Sequence, residues 1–152
     1  MQDIILASDH RGFELKQKVK EILRAQKMFF IDMGVEGSTR PADNMIPPII
    51  TAVREASDTI RSAKHFCGIF ICGSGVGVSI AANRHKGIRA ALCHTIEEVR
   101  SAREHNDANV LCLSADNIGT DCVKKMITVF LNTKFLNEIR YQKRRELFDT
   151  LS

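Results

Sequence analysis

An α/β fold, a five-stranded parallel sheet with helices on both faces, is what this sequence predicts. Two observations point to it. Five short apolar runs, at Ile4–Ala7, Phe29–Ile31, Phe66–Ile71, Arg89–Cys93 and Val110–Leu113, have the length and hydrophobicity of buried strands. The segments between them carry apolar residues at helical spacing, and such alternation implies a parallel sheet sandwiched between helices.

The elements follow in order. The first strand ends at Ser8-Asp9-His10. Gly12 to Gln26 reads as a helix with Leu15, Val19, Ile22 and Leu23 on one face and Lys16, Lys18, Lys20 and Glu21 mostly off it. Gly34 to Asp43 is a loop by its glycines, Ser38 and Pro41. Pro47-Pro48 can open a helix whose face continues through Ile50, Val53, Ser57 and Ile60. After the third strand comes Cys72-Gly73-Ser74-Gly75-Val76-Gly77, then a short helix from Val78 to Asn83. Thr95-Ile96-Glu97-Glu98 has capping-box spacing and starts another helix. Ile118 to Leu131 is expected to turn Ile118, Cys122, Met126, Val129 and Phe130 inward. A polar helix, from about residue 138 and covering Arg140 to Leu151, ends the chain.

At 152 residues, 44% hydrophobic and 26% charged, the chain is expected to form a single globular domain. No apolar run is long enough for a bilayer, and Met1-Gln2-Asp3 leads straight into a strand without a basic leader, so a cytoplasmic location is expected. The net charge is +4, with a basic cluster at Arg140, Lys143, Arg144 and Arg145. Trp is absent and Tyr141 is the sole tyrosine, so the stacking groups of a nucleic-acid surface are missing and a small anion suits the cluster better. Five cysteines without CxxC spacing argue against a disulfide framework or a zinc site. Cys67, Cys93, Cys112 and Cys122 sit in apolar segments and read as core thiols.

Ligands of open parallel sheets bind beyond the carboxyl ends of the strands, where strand order reverses. Three glycines in Gly73–Gly77 let backbone N–H groups converge on an anion there, although the same glycines could form a tight turn. Neither a Walker loop nor a dinucleotide turn has this spacing. A Cys72 thiolate at the mouth of that loop could take a carbon-bound proton while neighbouring amides stabilise an oxyanion; an inert thiol is the plain alternative. Asp9 could orient a hydroxyl or a His, or cap the next helix, while His10 and Arg11 could meet a phosphate. His105-Asn106-Asp107-Ala108-Asn109 offers an acid/base in His105 and a hydroxyl ligand in Asn106, or a structural network. Arg140 and Arg144, four apart on one helix face, could clamp a phosphate or form a solvated basic face.

Together these segments resemble the ribose-5-phosphate isomerase type B family, which includes the galactose-6-phosphate isomerase subunits. The likeness is carried by Ser8 to Lys16, Ile71 to Gly77, Ile80 to Asn83 and Arg103 to Leu111, in order over nearly the whole chain. It implies a Rossmann-like three-layer sandwich, no metal and no cofactor, and a homodimer sharing its active sites. The implied reaction interconverts ribose 5-phosphate and ribulose 5-phosphate through an enediol. Carried over by position, Cys72 is the base, and Ser74 with the amides of Gly73, Gly75, Val76 and Gly77 holds the enediolate. His105 opens the ring with Asp9 assisting, Asn106 binds the sugar, and His10, Arg140 and Arg144 take the phosphate, with Arg11 beside them. Some members replace this cysteine by a Glu on the next helix; the matching position here is Val78, which accepts no proton. Three positions depart from the pattern. Asp43-Asn44-Met45 stands for the usual Asp-Tyr-Pro, and Tyr141 replaces a His. Asp116 replaces a phosphate-directed Arg, which suggests that it turns away while Arg11 compensates. These departures keep two alternatives open: an isomerase of a six-carbon sugar phosphate, or a non-catalytic phosphosugar-binding protein.

Overall fold

A computed structural model describes residues 3–37, 48–62 and 66–151. The elements run β1 (Asp3–Ser8), α1 (Phe13–Ala25), β2 (Phe30–Asp32), α2 (Pro48–Ser62), β3 (Phe66–Cys72), α3 (Val76–Ala82), β4 (Ala90–Leu92), α4 (Ile96–Asn106), β5 (Val110–Ser114), α5 (Thr120–Asn132) and α6 (Ile139–Thr150). Pro47 and the Asp43-Asn44-Met45 stretch lie outside the described residues.

The five strands form one parallel sheet in the order β2-β1-β3-β5-β4. Helices cover both faces, because alternate strand residues are apolar on both sides. Ile4, Leu6, Ile69, Ile71, Leu111 and Leu113 face a core closed by α1, α4 and α5. Ile5, Ala7, Phe70, Cys72 and Cys112 face a second core closed by α2 and α3. From β1 the chain first moves outward to β2, then crosses to β3 on the other side. The order therefore reverses between β1 and β3, where a parallel sheet opens a crevice at its carboxyl edge. Asp9 follows the first of these strands, and Cys72 is the last residue of the other.

Several expectations are corrected by packing. Lys16, placed off the buried face of its helix, is 1% exposed. Its Nζ donates to Asp32 Oδ1 at 2.8 Å and to the Val35 carbonyl at 2.6 Å, so the stem lies in the core while the ammonium meets a carboxylate. On α5 the inward residues are Val123, Met126, Ile127 and Phe130, while Cys122 and Val129 lie at the margin. The helix packs against both α1 and α4, which rotates its buried stripe from the one apolarity alone suggested. Cys122 is accordingly half-buried, not a core thiol. On α2, Ile50 is exposed, and Ala52 and Ala56 join Val53, Ser57 and Ile60 inside. The capping box at Thr95 forms as expected, with Glu98 N–H donating to Thr95 Oγ1 and Thr95 N–H donating to the Glu98 carboxylate.

Asp32 ties this edge of the fold together. Burial alone would raise its carboxyl, but hydrogen bonds from Lys16, Lys20 and the Gly34 N–H outweigh that and hold it below the ordinary carboxylate value. A depressed acid stabilises the fold above its unfolded pKa, and that contribution disappears as pH falls through the folded value. Asp32→Ala also strands the buried Lys16 ammonium, so at neutral pH it is expected to cost about 3 kcal/mol in urea unfolding. Below about pH 4 the gap to wild type should narrow. A gap that stays constant into acid would contradict the pairing.

Candidate active site: two clusters at opposite edges of the sheet

Gly12 lets α1 begin close against β3: a Cβ there would sit 2.6 Å from the Ile71 carbonyl oxygen. Asp9 Oδ1 accepts the Gly12 N–H at 2.8 Å and closes the turn before α1, but the helix cap is Gly12, which has no side-chain cap bond, so Asp9 is not the cap weighed from sequence. His10 is half-buried in this turn and Arg11 is exposed.

The glycine loop starts at Cys72, which belongs to the strand. Gly75 has φ of 77°, the left-handed conformation that glycine adopts without a Cβ penalty, and this sharp turn starts α3 at Val76 instead of Val78. The turn brings the Gly75 N–H to the Cys72 Sγ at 3.1 Å. Ser74 is exposed, and its Oγ accepts the Val76 N–H at 3.3 Å. The Gly73 carbonyl accepts from Ser114 Oγ at 2.8 Å and from the Asp116 N–H at 3.0 Å. That carbonyl is thereby held toward β5, and the Gly77 and Val78 amides in the first turn of α3 lack carbonyl partners inside their helix. Gly77 is open: a Cβ there would meet nothing within 4 Å. Val78 is buried, and its alkyl side chain accepts no proton.

Sequence reasoning missed Ser114 and Asn117. Asn117 Nδ2 donates to Ser114 Oγ at 3.0 Å, so the turn after β5 braces the glycine loop. Position just beyond a central strand was the available signal. Asp116, expected to turn away from the phosphate while Arg11 compensates, is ion-paired with the Arg11 guanidinium, which lies against Gly73. Arg11 therefore already has a counter-charge.

Cys67, Cys93 and Cys112 are buried core thiols. Burial pushes the Cys67 and Cys93 thiols up to about 12, and drives Cys112 well above its ordinary value. Those groups stay protonated at neutral pH. The Cys72 sulfur sits at a strand end, on a backbone amide.

The second cluster is elsewhere. His105 and Asn106 end α4 and so precede β5, at the amino edge of the sheet. Cys72 pairs with Ser114 at the far end of that strand. Four residue steps from Val110 to Ser114 span about 13 Å, far beyond the ~3 Å reach of direct proton transfer. Within one chain, His105 cannot meet Cys72. His105 stacks on Tyr141 with centroids 4.7 Å apart and 22° between planes. The Arg140 and Arg144 guanidinium groups lie 4.5 and 5.5 Å from the same ring, and Arg144 Nη1 donates to Asn106 Oδ1 at 3.3 Å. Arg140 also pairs with Glu138 at 2.9 Å. Tyr141, read from sequence only as a replacement, is the buried plate that gathers His105 and both arginines. Its place three residues before Arg144 on one helix was the signal.

Fold and loop together define an α/β protein with a glycine-rich loop at the switch point of its parallel sheet. The family model described as Ribose/Galactose Isomerase matches residues 4–147. The ribose 5-phosphate isomerase RpiB of Thermotoga maritima superposes with a TM-score of 0.89 at 37% identity, covering 99% of each chain. A Mycoplasma pneumoniae protein described as a probable ribose-5-phosphate isomerase B is 40% identical over 87% of this chain and 84% of its own. The D-erythrulose-4-phosphate isomerase of Pectobacterium atrosepticum is 31% identical over 89% of this chain and 86% of its own. The chain belongs to the ribose/galactose isomerase family, and it is a sugar-phosphate isomerase of the ribose-5-phosphate isomerase B kind. No helix among the described residues is long and apolar enough to cross a membrane.

Proposed function

We propose that this protein interconverts ribose 5-phosphate and ribulose 5-phosphate as a homodimer, with Cys72 as the base. The observation that carries this reading is the Cys72 sulfur, set at the switch point of the sheet with the Gly75 N–H donating to it. The thiolate removes the proton from C2 of the open-chain aldose, and the electrons of that C–H bond form the C1–C2 double bond of the enediolate. Cys72 then returns the proton to C1 while the O2 proton passes to O1, leaving the ketose with a C2 carbonyl and a C1 hydroxyl. Backbone amides of Gly73 to Gly77, with Ser74, hold the oxygens as charge develops on them. Asp9, fixed by the Gly12 N–H, keeps one oxygen for a sugar hydroxyl or for the ring-opening histidine.

The missing half of the site comes from a second copy. His105 of the partner subunit opens the furanose ring and the partner's Asn106 binds the sugar. The partner's Arg140 and Arg144 join His10 on the phosphate, with Arg11 contributing less because Asp116 already neutralises it. Exposed apolar residues flank both clusters, Val76 and Ile80 on α3 and Ile139, Leu147 and Phe148 on α6, as a self-complementary two-fold contact requires.

Relatives act on sugar phosphates of different length, so a substrate panel is the direct test. With EDTA present, kcat/KM is expected to be highest for ribose 5-phosphate among four-, five- and six-carbon aldose phosphates. A clear preference for another chain length would replace the pentose assignment. Tight binding without turnover would favour a phosphosugar-binding protein.

A further inference from the structure

α6 carries the phosphate arginines yet has little to hold it down. Among its described residues only Tyr141 is buried; Ile139, Leu147 and Phe148 are exposed and the others are polar, so within the chain the helix has one packed side chain. A helix of that kind needs another anchor. One is visible in a ring of four charges at the amino edge of the sheet. Asp107 adopts φ of 49°, which ends α4 directly after Asn106 and turns the Asp107 carboxylate toward three arginines. Arg89 Nε donates to the Asp107 carbonyl at 2.8 Å and its Nη2 to Oδ2 at 3.0 Å. Arg103 lies 3.8 Å from Oδ1 and Arg145 3.5 Å from Oδ2. Arg89 also reaches Asp149 at 3.6 Å. Arg145 and Asp149 are one turn apart on α6, so the ring Arg145–Asp107–Arg89–Asp149 closes on that helix from two points. The Arg145 guanidinium is further seated over the Phe135 ring at 5.4 Å.

We propose that this ring is a clasp that positions α6, and with it Arg144, against the Asn106 end of α4, making Asp107 and Arg145 positioning residues for phosphate binding. Its effect on catalysis rests on the phosphate role proposed above for Arg144. Neither Asp107 nor Arg145 touches the Tyr141 plate in the way Arg140 and Arg144 do, so they act through the placement of the helix. Three of the four groups are partly shielded, with side-chain exposures of 16% for Arg89, 24% for Asp107 and 35% for Arg145, while Asp149 is 45% exposed, so water screens the Asp107 pairs less than the Arg89–Asp149 pair.

The test compares Arg145→Gln, Arg145→Lys and Arg144→Gln in the full-length protein. Arg145→Gln is expected to raise both KM for ribose 5-phosphate and the inhibition constant of inorganic phosphate about tenfold, short of the ~100-fold that a full ångström of misplacement can cost. Its kcat should stay within about twofold, the signature of lost binding shared by ground and transition states. Arg145→Lys should recover part of the loss. Asp107→Asn should act in the same direction; should it fail to fold, Arg145→Gln still decides. An unchanged KM in Arg145→Gln, beside a raised KM in Arg144→Gln, overturns the clasp and leaves the phosphate role standing. An unchanged KM in both variants overturns both. A fall in kcat and melting temperature without a change in KM would mark the ring as purely structural and also overturn the proposal.

Discussion

Cys72→Ala is expected to lower turnover by about a thousandfold or more, the upper range of what a positioned acid/base group supplies. In free energy this is roughly 4 kcal/mol of transition-state stabilisation. The effect should fall on kcat, because in the proposed mechanism the sulfur meets the reacting carbon and not the phosphate. Inhibition by inorganic phosphate should remain near the wild-type value. The fold should persist, since the change removes one atom from a residue at the end of β3, at the edge of the α2–α3 core. Neighbouring thiols cannot substitute: Cys112 is fully buried one strand away and remains protonated. Turnover within tenfold of wild type, measured on the purified variant, would remove Cys72 from the mechanism and reopen the choice of base.

An equimolar mixture of Cys72→Ala and His105→Ala, unfolded and refolded together, is expected to recover about a quarter of wild-type activity from two nearly inactive parents. Random pairing makes half the dimers mixed, and each mixed dimer holds one intact site of its two. The expectation follows from the separation of the two clusters along β5. His105 and Cys72 lie at opposite edges of one sheet, so the proposed shared site takes one from each chain. A mixture that stays as inactive as its parents would show that the clusters do not share a site. Light scattering that finds a monomer would say the same without any assay.

Much of the fold was legible because parallel α/β chains write their elements into the sequence one at a time. All five strands appear near their expected places, and the capping box at Thr95 forms as its spacing indicated. The misses share a cause. Lys16 was assigned outward by its charge, because nothing local reveals that Asp32 waits across the helix–strand packing. The α5 stripe was misjudged because two neighbouring helices, not one, cover it. For the site, the glycine loop and Cys72 were readable since one continuous segment carries them. Ser114, Asn117 and Tyr141 were not, because their contacts join residues distant in sequence or on another helix.

By itself the sequence determined the order and kind of the elements and the family, and it named candidate side chains for the chemistry. These depend on local periodicity and on short motifs, which the chain carries residue by residue. Only the tertiary structure decided where those side chains stand. It set the Cys72 sulfur on an amide, paired Asp116 with Arg11, and drew Asp107 into a ring of arginines. It also parted His105 from Cys72 by the length of β5. Such placements arise from strand register and helix packing, through contacts between residues far apart in the chain, and no local pattern encodes them.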